Sequence, residues 1–301
     1  MKAIVCHELG SIDELVCEEM PTPTPAAGEL LVAVKAAGVN FPDTLVIEGK
    51  YQERPELPFI PGMELAGEVL AVGDDVTGFQ VGDRVAGCPG TGAFAETAVL
   101  PTDRATLLPD SVGYDAAAAL QVVYGTSIHA LKQRANLQPG ETLLVTGAAG
   151  GVGLSACQIG KAMGAHVIAA ASSQDNLALA KRNGADDLID YSDGELKDKV
   201  KALTEGRGAD VIYEPVGGEI FDQCVRCINF NGRLLVIGFA SGRIPQVPAN
   251  LTLVKGFSVV GVYWGRFARK EQPGIHAENV ATLFDWLATG AIRPHIGEHY
   301  P

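Results

Sequence analysis

The chain has 301 residues, 47% of them hydrophobic, enough for two domains with substantial cores, and a formal net charge of −13 that argues against a nucleic-acid or anionic-membrane partner. Its start, MKAIVCHEL, has no apolar signal region, and no apolar run reaches the ~18 residues a membrane helix needs. The six cysteines, at 6, 17, 88, 157, 224 and 227, are scattered as reduced thiols are, so a soluble cytoplasmic protein with no disulfide framework is expected.

Residues 1 to about 120 hold short β-like runs at 2–6, 30–37, 66–72, 84–86 and 94–99, punctuated by Pro and Gly. The string PTPTP at 21–25 can be neither helix nor central strand. This half reads as a compact, mostly antiparallel β domain. A helix is expected to begin at Ala116 and to run towards Leu131. From Glu141 onward strands and helices alternate, with strands expected at 142–146, 166–171, 187–189, 210–213, 233–237 and 258–262. Helices fit between most of them, with Gly184 as a stop after a helix at 176–183 and a last helix at 278–288. Such alternation implies an α/β, doubly wound parallel sheet with helices on both faces.

The most informative stretch is TGAAGGVGLSACQIG at 146–160, between a buried apolar run and a segment with helical spacing. It matches the G-x-G-x-x-G dinucleotide fingerprint as Ala148, Gly150 and Gly153. Gly150 would let the backbone approach a pyrophosphate, Gly153 would let the helix pack on its strand, and the helix N-terminus would hold the phosphates. The second strand ends in Ala171-Ser172-Ser173, without the carboxylate that commonly holds a 2′-hydroxyl. Two hydroxyls suit a 2′-phosphate, so NADPH is favoured over NADH; an ordinary helix cap is the competing role for these serines.

Further strings continue in order: GVNFPD at 38–43, PFIPGMELAG at 58–67, GDRV at 82–85, PVGG at 215–218 and IGF at 237–239. With the glycine-rich turn they make the whole chain resemble the zinc-independent quinone oxidoreductases of the medium-chain dehydrogenase/reductase superfamily. That resemblance implies a GroES-like β-rich catalytic domain at 1–121 and 267–301 around a Rossmann domain at 122–266, with a further short segment beyond Pro301. It places Asn40 and Tyr51 near the nicotinamide as hydrogen-bond donors, where Tyr51 could equally be a turn residue and Asn40 could serve only to fix a loop. It assigns cofactor contacts to Thr126, Ala149, Gly150, Gly151, Val152, Gly153, Ser172, Ser173, Asn176, Tyr191, Val216, Gly217, Ile237, Gly238 and Phe239; helix capping is the alternative for Thr126. Members often carry Tyr where this chain has Leu45 and Lys where it has Asn176. Zinc-dependent relatives hold Cys and His where this chain has Asn40 and Met63, neither a thiolate nor an imidazole, so no metal is expected. Cys224-x-x-Cys227 looks like half a zinc site, but two small buried side chains in a helix are the better reading.

Without metal, the chemistry must be one the nicotinamide can nearly do alone: hydride delivery to a small-molecule quinone or enone. A medium-chain enoyl-thioester reductase is the second reading, with Arg266, Arg269 and Lys270 as candidates for a CoA groove. A cofactor-binding redox sensor or structural protein with little catalysis is the third. The resemblance also implies a homodimer through an edge strand near 257–263, whose β-branched alternation suits a buried internal strand as well.

Overall fold

The computed structural model describes residues 1–300. The chain divides into two compact units, Met1–Val122 together with the segment from Ile296 onward, and Val123–His295.

In the first unit, β1 (Lys2–Val5) and β2 (Val16–Glu19) form an antiparallel pair. A five-stranded sheet is built from β3 (Glu29–Gly38), β4 (Glu64–Val72), β5 (Arg84–Gly87), β6 (Thr97–Pro101) and β7 (Ala105–Leu107), in the order β6-β3-β4-β5-β7. All its pairings are antiparallel. Residues such as Leu30, Val32, Leu65, Val69, Val85, Ala98 and Leu100 fill its core; burial alternates along β6, whereas β3, β4 and β5 each carry consecutive buried residues and so are covered on both faces there. Helix α1 (Phe41–Ile47) lies between β3 and β4, and α2 (Tyr114–Ala118) follows β7. Strands β2 and β7 and helix α1 were not anticipated, although α1 had a start signal. Pro42 stands in its first turn, and Asp43 accepts a hydrogen bond from the Asn40 backbone N–H at 2.8 Å.

The continuous helix expected from Ala116 is broken. Helix α2 ends at Ala118, α3 (Gln121–Ile128) starts afresh, and a π-helical stretch, His129–Arg134, follows. The reason is tertiary: the buried Glu64 carboxylate accepts the Val122 backbone N–H at 2.7 Å and so caps a new helix start.

The second unit holds six strands: β8 (Thr142–Val145), β9 (His166–Ala171), β10 (Asp187–Asp190), β11 (Ala209–Glu214), β12 (Ile228–Val236) and β13 (Ser258–Gly261). They pair in the order β10-β9-β8-β11-β12-β13, every pair parallel. Strands β8 and β9 are near-continuous apolar runs because helices cover both faces. The connecting helices are α4 (Gly151–Ala162), α5 (Gln174–Arg182), α6 (Leu196–Leu203), α7 (Gly218–Cys227) and α8 (Ala249–Lys255). After β13 come the short α9 (Trp264–Arg266), a π-helical stretch at Phe267–Glu271 and α10 (Pro273–Thr289).

The second unit extends further along the chain than the 122–266 expected for the Rossmann part. Gln133 and Asn279 exchange side-chain hydrogen bonds at 3.0 and 3.1 Å. Gln158 accepts the Arg293 N–H at 2.7 Å and donates to its carbonyl at 2.9 Å. These contacts hold α10 and the segment after it to the second unit, so the chain rejoins the first unit only at Ile296.

Candidate active site

The strand order reverses between β8 and β11, and in open α/β sheets a ligand crevice forms at the carboxyl ends of strands at such a point. A cavity of about 200 Å³ opens there, lined by Gly147, Ala149, Gly150, Ala171, Ser172, Asn176 and Tyr191. The turn from β8 into α4 forms its floor. Gly150 is the residue before the helix and offers no side-chain cap, so the first N–H groups of α4 are left for a ligand. Gly153 is needed for another reason: a Cβ there would lie 2.8 Å from Ala148 Cα and nearer still to the Gly147 carbonyl. Gly151 and Val152 continue the first turn of the helix.

The far wall is built by β9, α5 and β10. Ser172, Asn176 and Tyr191 face the cavity, whereas Ser173 accepts the Asn176 N–H at 3.3 Å and starts α5. Of the two serines, one therefore lines the crevice and the other caps the helix. Tyr191 is half-buried, and that burial raises its phenol above the ordinary range. No carboxylate lines the cavity. This donor set fits the phosphate-bearing half of a dinucleotide: open backbone N–H groups for a pyrophosphate, hydroxyl and amide groups for a 2′-phosphate.

At the other side of the switch point the loops after β11 and β12 meet. Ala240 N–H donates to the Pro215 carbonyl at 3.0 Å, and Ser241 N–H to the Val216 carbonyl at 2.8 Å. These bonds bring Val216 and Gly217 beside Ile237, Gly238 and Phe239, with the Phe239 ring 3.3 Å from where a Gly217 Cβ would stand. Thr126 is the sixth residue of α3, so a capping role does not apply to it. Its neighbour Ser127 holds α3 to α4 through Ser155 Oγ at 2.8 Å.

Asn40 and Tyr51 belong to the first unit and bracket α1. Asn40 is buried, and its Nδ2 donates to Glu64 Oε1 at 2.7 Å and to the Gly38 carbonyl at 3.4 Å. Both hydrogens of that amide are thus taken within the chain. Tyr51 is half-buried, with its backbone N–H on the Leu45 carbonyl at 3.0 Å. Two buried acids around Asn40 were missed. Burial pushes Glu64 up to about 7, against the opposing pull of its Asn40 and Val122 hydrogen bonds. Burial likewise lifts Asp43 to about 6. The available signal was a lone carboxylate inside each of two otherwise uncharged strings, at 38–47 and 58–67.

Residues 26–110 match the model of the alcohol dehydrogenase GroES-like domain, and residues 151–281 match that of the zinc-binding dehydrogenases. The chain is 45% identical over 303 residues to a quinone oxidoreductase-like protein 2 homolog from Nematostella vectensis, covering 99% of this chain and 82% of that one. The chain belongs to the quinone oxidoreductase family of the medium-chain dehydrogenase/reductases. A quinone oxidoreductase of Pseudomonas aeruginosa is 40% identical over 301 residues, covering 99% of this chain and 92% of that one. The crystal structure of the Escherichia coli quinone oxidoreductase complexed with NADPH matches with a TM-score of 0.90 at 30% identity, over 99% of this chain and 91% of that chain. Membership of this family makes the protein an oxidoreductase.

One matched model is named for zinc, and the donors here do not fit that metal. Met63 is a buried thioether, and the Asn40 amide is turned to Glu64. Cys224 and Cys227 are fully buried in the core between α7 and the parallel sheet, with Cys227 Sγ on the Cys224 carbonyl at 3.7 Å. Among the described residues, no helix is long and apolar enough to cross a membrane.

Proposed function

We propose that the protein is an NADPH-dependent reductase of quinones or other activated carbonyl and enone acceptors. The observation that carries this reading is the crevice at the strand-order reversal, with glycine N–H groups at one side and uncharged polar groups, Ser172, Asn176 and Tyr191, at the other. Bound NADPH supplies the hydride from its nicotinamide end. The chain's own part is to orient the dinucleotide and to offer a donor to the oxygen that gains charge.

NADPH should bind roughly tenfold more tightly than NADH, and Ser172→Asp should reverse or erase the preference by setting a fixed negative charge against the 2′-phosphate. Titration of nicotinamide fluorescence measures both. Equal affinities in the unmodified protein would defeat the 2′-phosphate assignment.

Tyr51 is the donor we assign to the acceptor oxygen, and Asn40, with its amide hydrogens occupied, helps hold the loop. Tyr51→Phe should leave NADPH affinity unchanged. It should slow turnover roughly tenfold with quinones, which are strong hydride acceptors, and by about 10²-fold with enones. A steady-state panel of quinones, free enones and one CoA thioester with NADPH tests the function itself. No turnover with any of them would overturn the enzyme's assigned chemistry, and full turnover by Tyr51→Phe would remove the hydroxyl from it.

The protein also pairs as a homodimer in this reading, through the free edge of β13. Supporting it are the exposed Leu253 and Val254 on α8 and the exposed Ile244, all in the second unit near that edge strand in sequence. Light scattering at micromolar concentration should give twice the chain mass; a monomer would refute the pairing.

A further inference from the structure

A carboxylate with no part in the hydride chemistry sits at the point where the sheet reverses. Glu214, the last residue of β11, is fully buried. Its Oε1 accepts the Val216 N–H at 2.8 Å and the Gly217 N–H at 3.0 Å, and its Oε2 lies 2.9 Å from that same Gly217 N. Across the crevice floor, the Thr146 hydroxyl donates to Oε1 at 3.2 Å. Thr146, also fully buried, follows β8 and opens the glycine turn into α4. One side chain therefore ties together the two loops that leave adjacent strands in opposite directions.

Gly217 shows why such a tie is needed. Its φ of 73° with ψ of −156° is a conformation essentially confined to glycine, and it places the residue at the start of α7. A buried carboxylate aimed at that start satisfies orphan N–H groups and complements the helix dipole. The two loops also touch directly: a Cβ on Gly147 would lie 3.0 Å from Val216 Cγ2 and 3.5 Å from Pro215 Cγ. The adenosine wall of Ser172, Asn176 and Tyr191 comes from other strands and makes none of these hydrogen bonds to Glu214.

We propose that Glu214 is a positioning residue that holds the Val216–Gly217 loop against the Thr146 turn, and so shapes the crevice for the nicotinamide half of the dinucleotide. This rests on the NADPH reading above. Calorimetric titration of two ligands, NADPH and 2′,5′-ADP, tests it, because the second carries only the adenosine half. Glu214→Gln replaces one acceptor oxygen by an amide donor and should weaken NADPH by about tenfold while leaving 2′,5′-ADP unchanged. Thr146→Val keeps the β-branched shape and removes only the hydroxyl; it should weaken NADPH by about threefold, again without effect on 2′,5′-ADP. Should Glu214→Gln fail to fold, Thr146→Val decides the matter. Equal weakening of both ligands, or no weakening of NADPH, overturns the positioning role. Wild-type protein that binds 2′,5′-ADP and NADPH equally poorly would instead overturn the cofactor reading and this inference with it.

Discussion

Gly150→Val is expected to fold and to lose NADPH. Gly150 has φ −76° and ψ 165°, an extended conformation open to any residue. A Cβ at this position would meet only the Gly147 carbonyl, at an ordinary 3.4 Å. The folded chain therefore tolerates the change, and the side chain projects where the cavity wall is formed. There it blocks the approach of a pyrophosphate to the open N–H groups of α4. We expect affinity for NADPH to fall by at least about 100-fold, roughly 3 kcal/mol, with a melting temperature near that of the wild type. Gly153→Ala makes the contrast. Its Cβ would press on backbone atoms of Gly147 and Ala148, which cannot move aside, so it should lower stability even without ligand. Fluorescence titration and thermal melts of the two variants separate the effects. Gly150→Val that still binds NADPH within about threefold of wild type would show that the phosphates do not lie on this turn.

The second expected result concerns pH. Glu64 ionises near 7 in the folded chain against an ordinary 4.5, because burial outweighs its hydrogen bonds to Asn40 and Val122. A raised carboxylate makes the folded state hold its proton longer than the unfolded one. Its stabilising contribution is complete below about 4.5 and is lost as pH rises through about 7. Asp43, lifted from 3.8 to about 6, acts in the same direction over a lower window. Glu64→Gln cannot ionise, and losing one acceptor imposes a cost that does not vary with pH. The stability of wild type minus variant should thus fall by about 2 kcal/mol between roughly pH 5.5 and pH 8. Urea unfolding of both proteins across that range measures it. A difference that stays flat would mean that Glu64 is already ionised, or is solvated, throughout.

The strands and helices of the second unit were legible because their code is local. A parallel sheet covered on both faces needs apolar runs such as TLLV at β8 and HVIAAA at β9, and the turn between strand and helix needs glycine. The expected run 166–171 coincides with β9, and Gly184, at φ 101°, does end the helix before it. Several residues that line the crevice could be named for the same reason, since one turn and one strand end carry most of them. What the linear pattern did not contain was any statement about buried charge. Glu64 reads as a polar break in a strand until the fold sets it against Asn40 and the N–H of Val122, 58 residues away, where it breaks a helix that propensity alone would have continued. Glu214 likewise ends a strand unremarkably in sequence, yet it meets Thr146, 68 residues away, only because β8 and β11 are neighbours in the sheet. Ser172 and Ser173 are equivalent as letters, and only the start of α5 separates the one that lines the crevice from the one that caps a helix. Local periodicity and turn chemistry specify elements, whereas the partner of a buried polar group is chosen by long-range pairing, which no single stretch of sequence encodes.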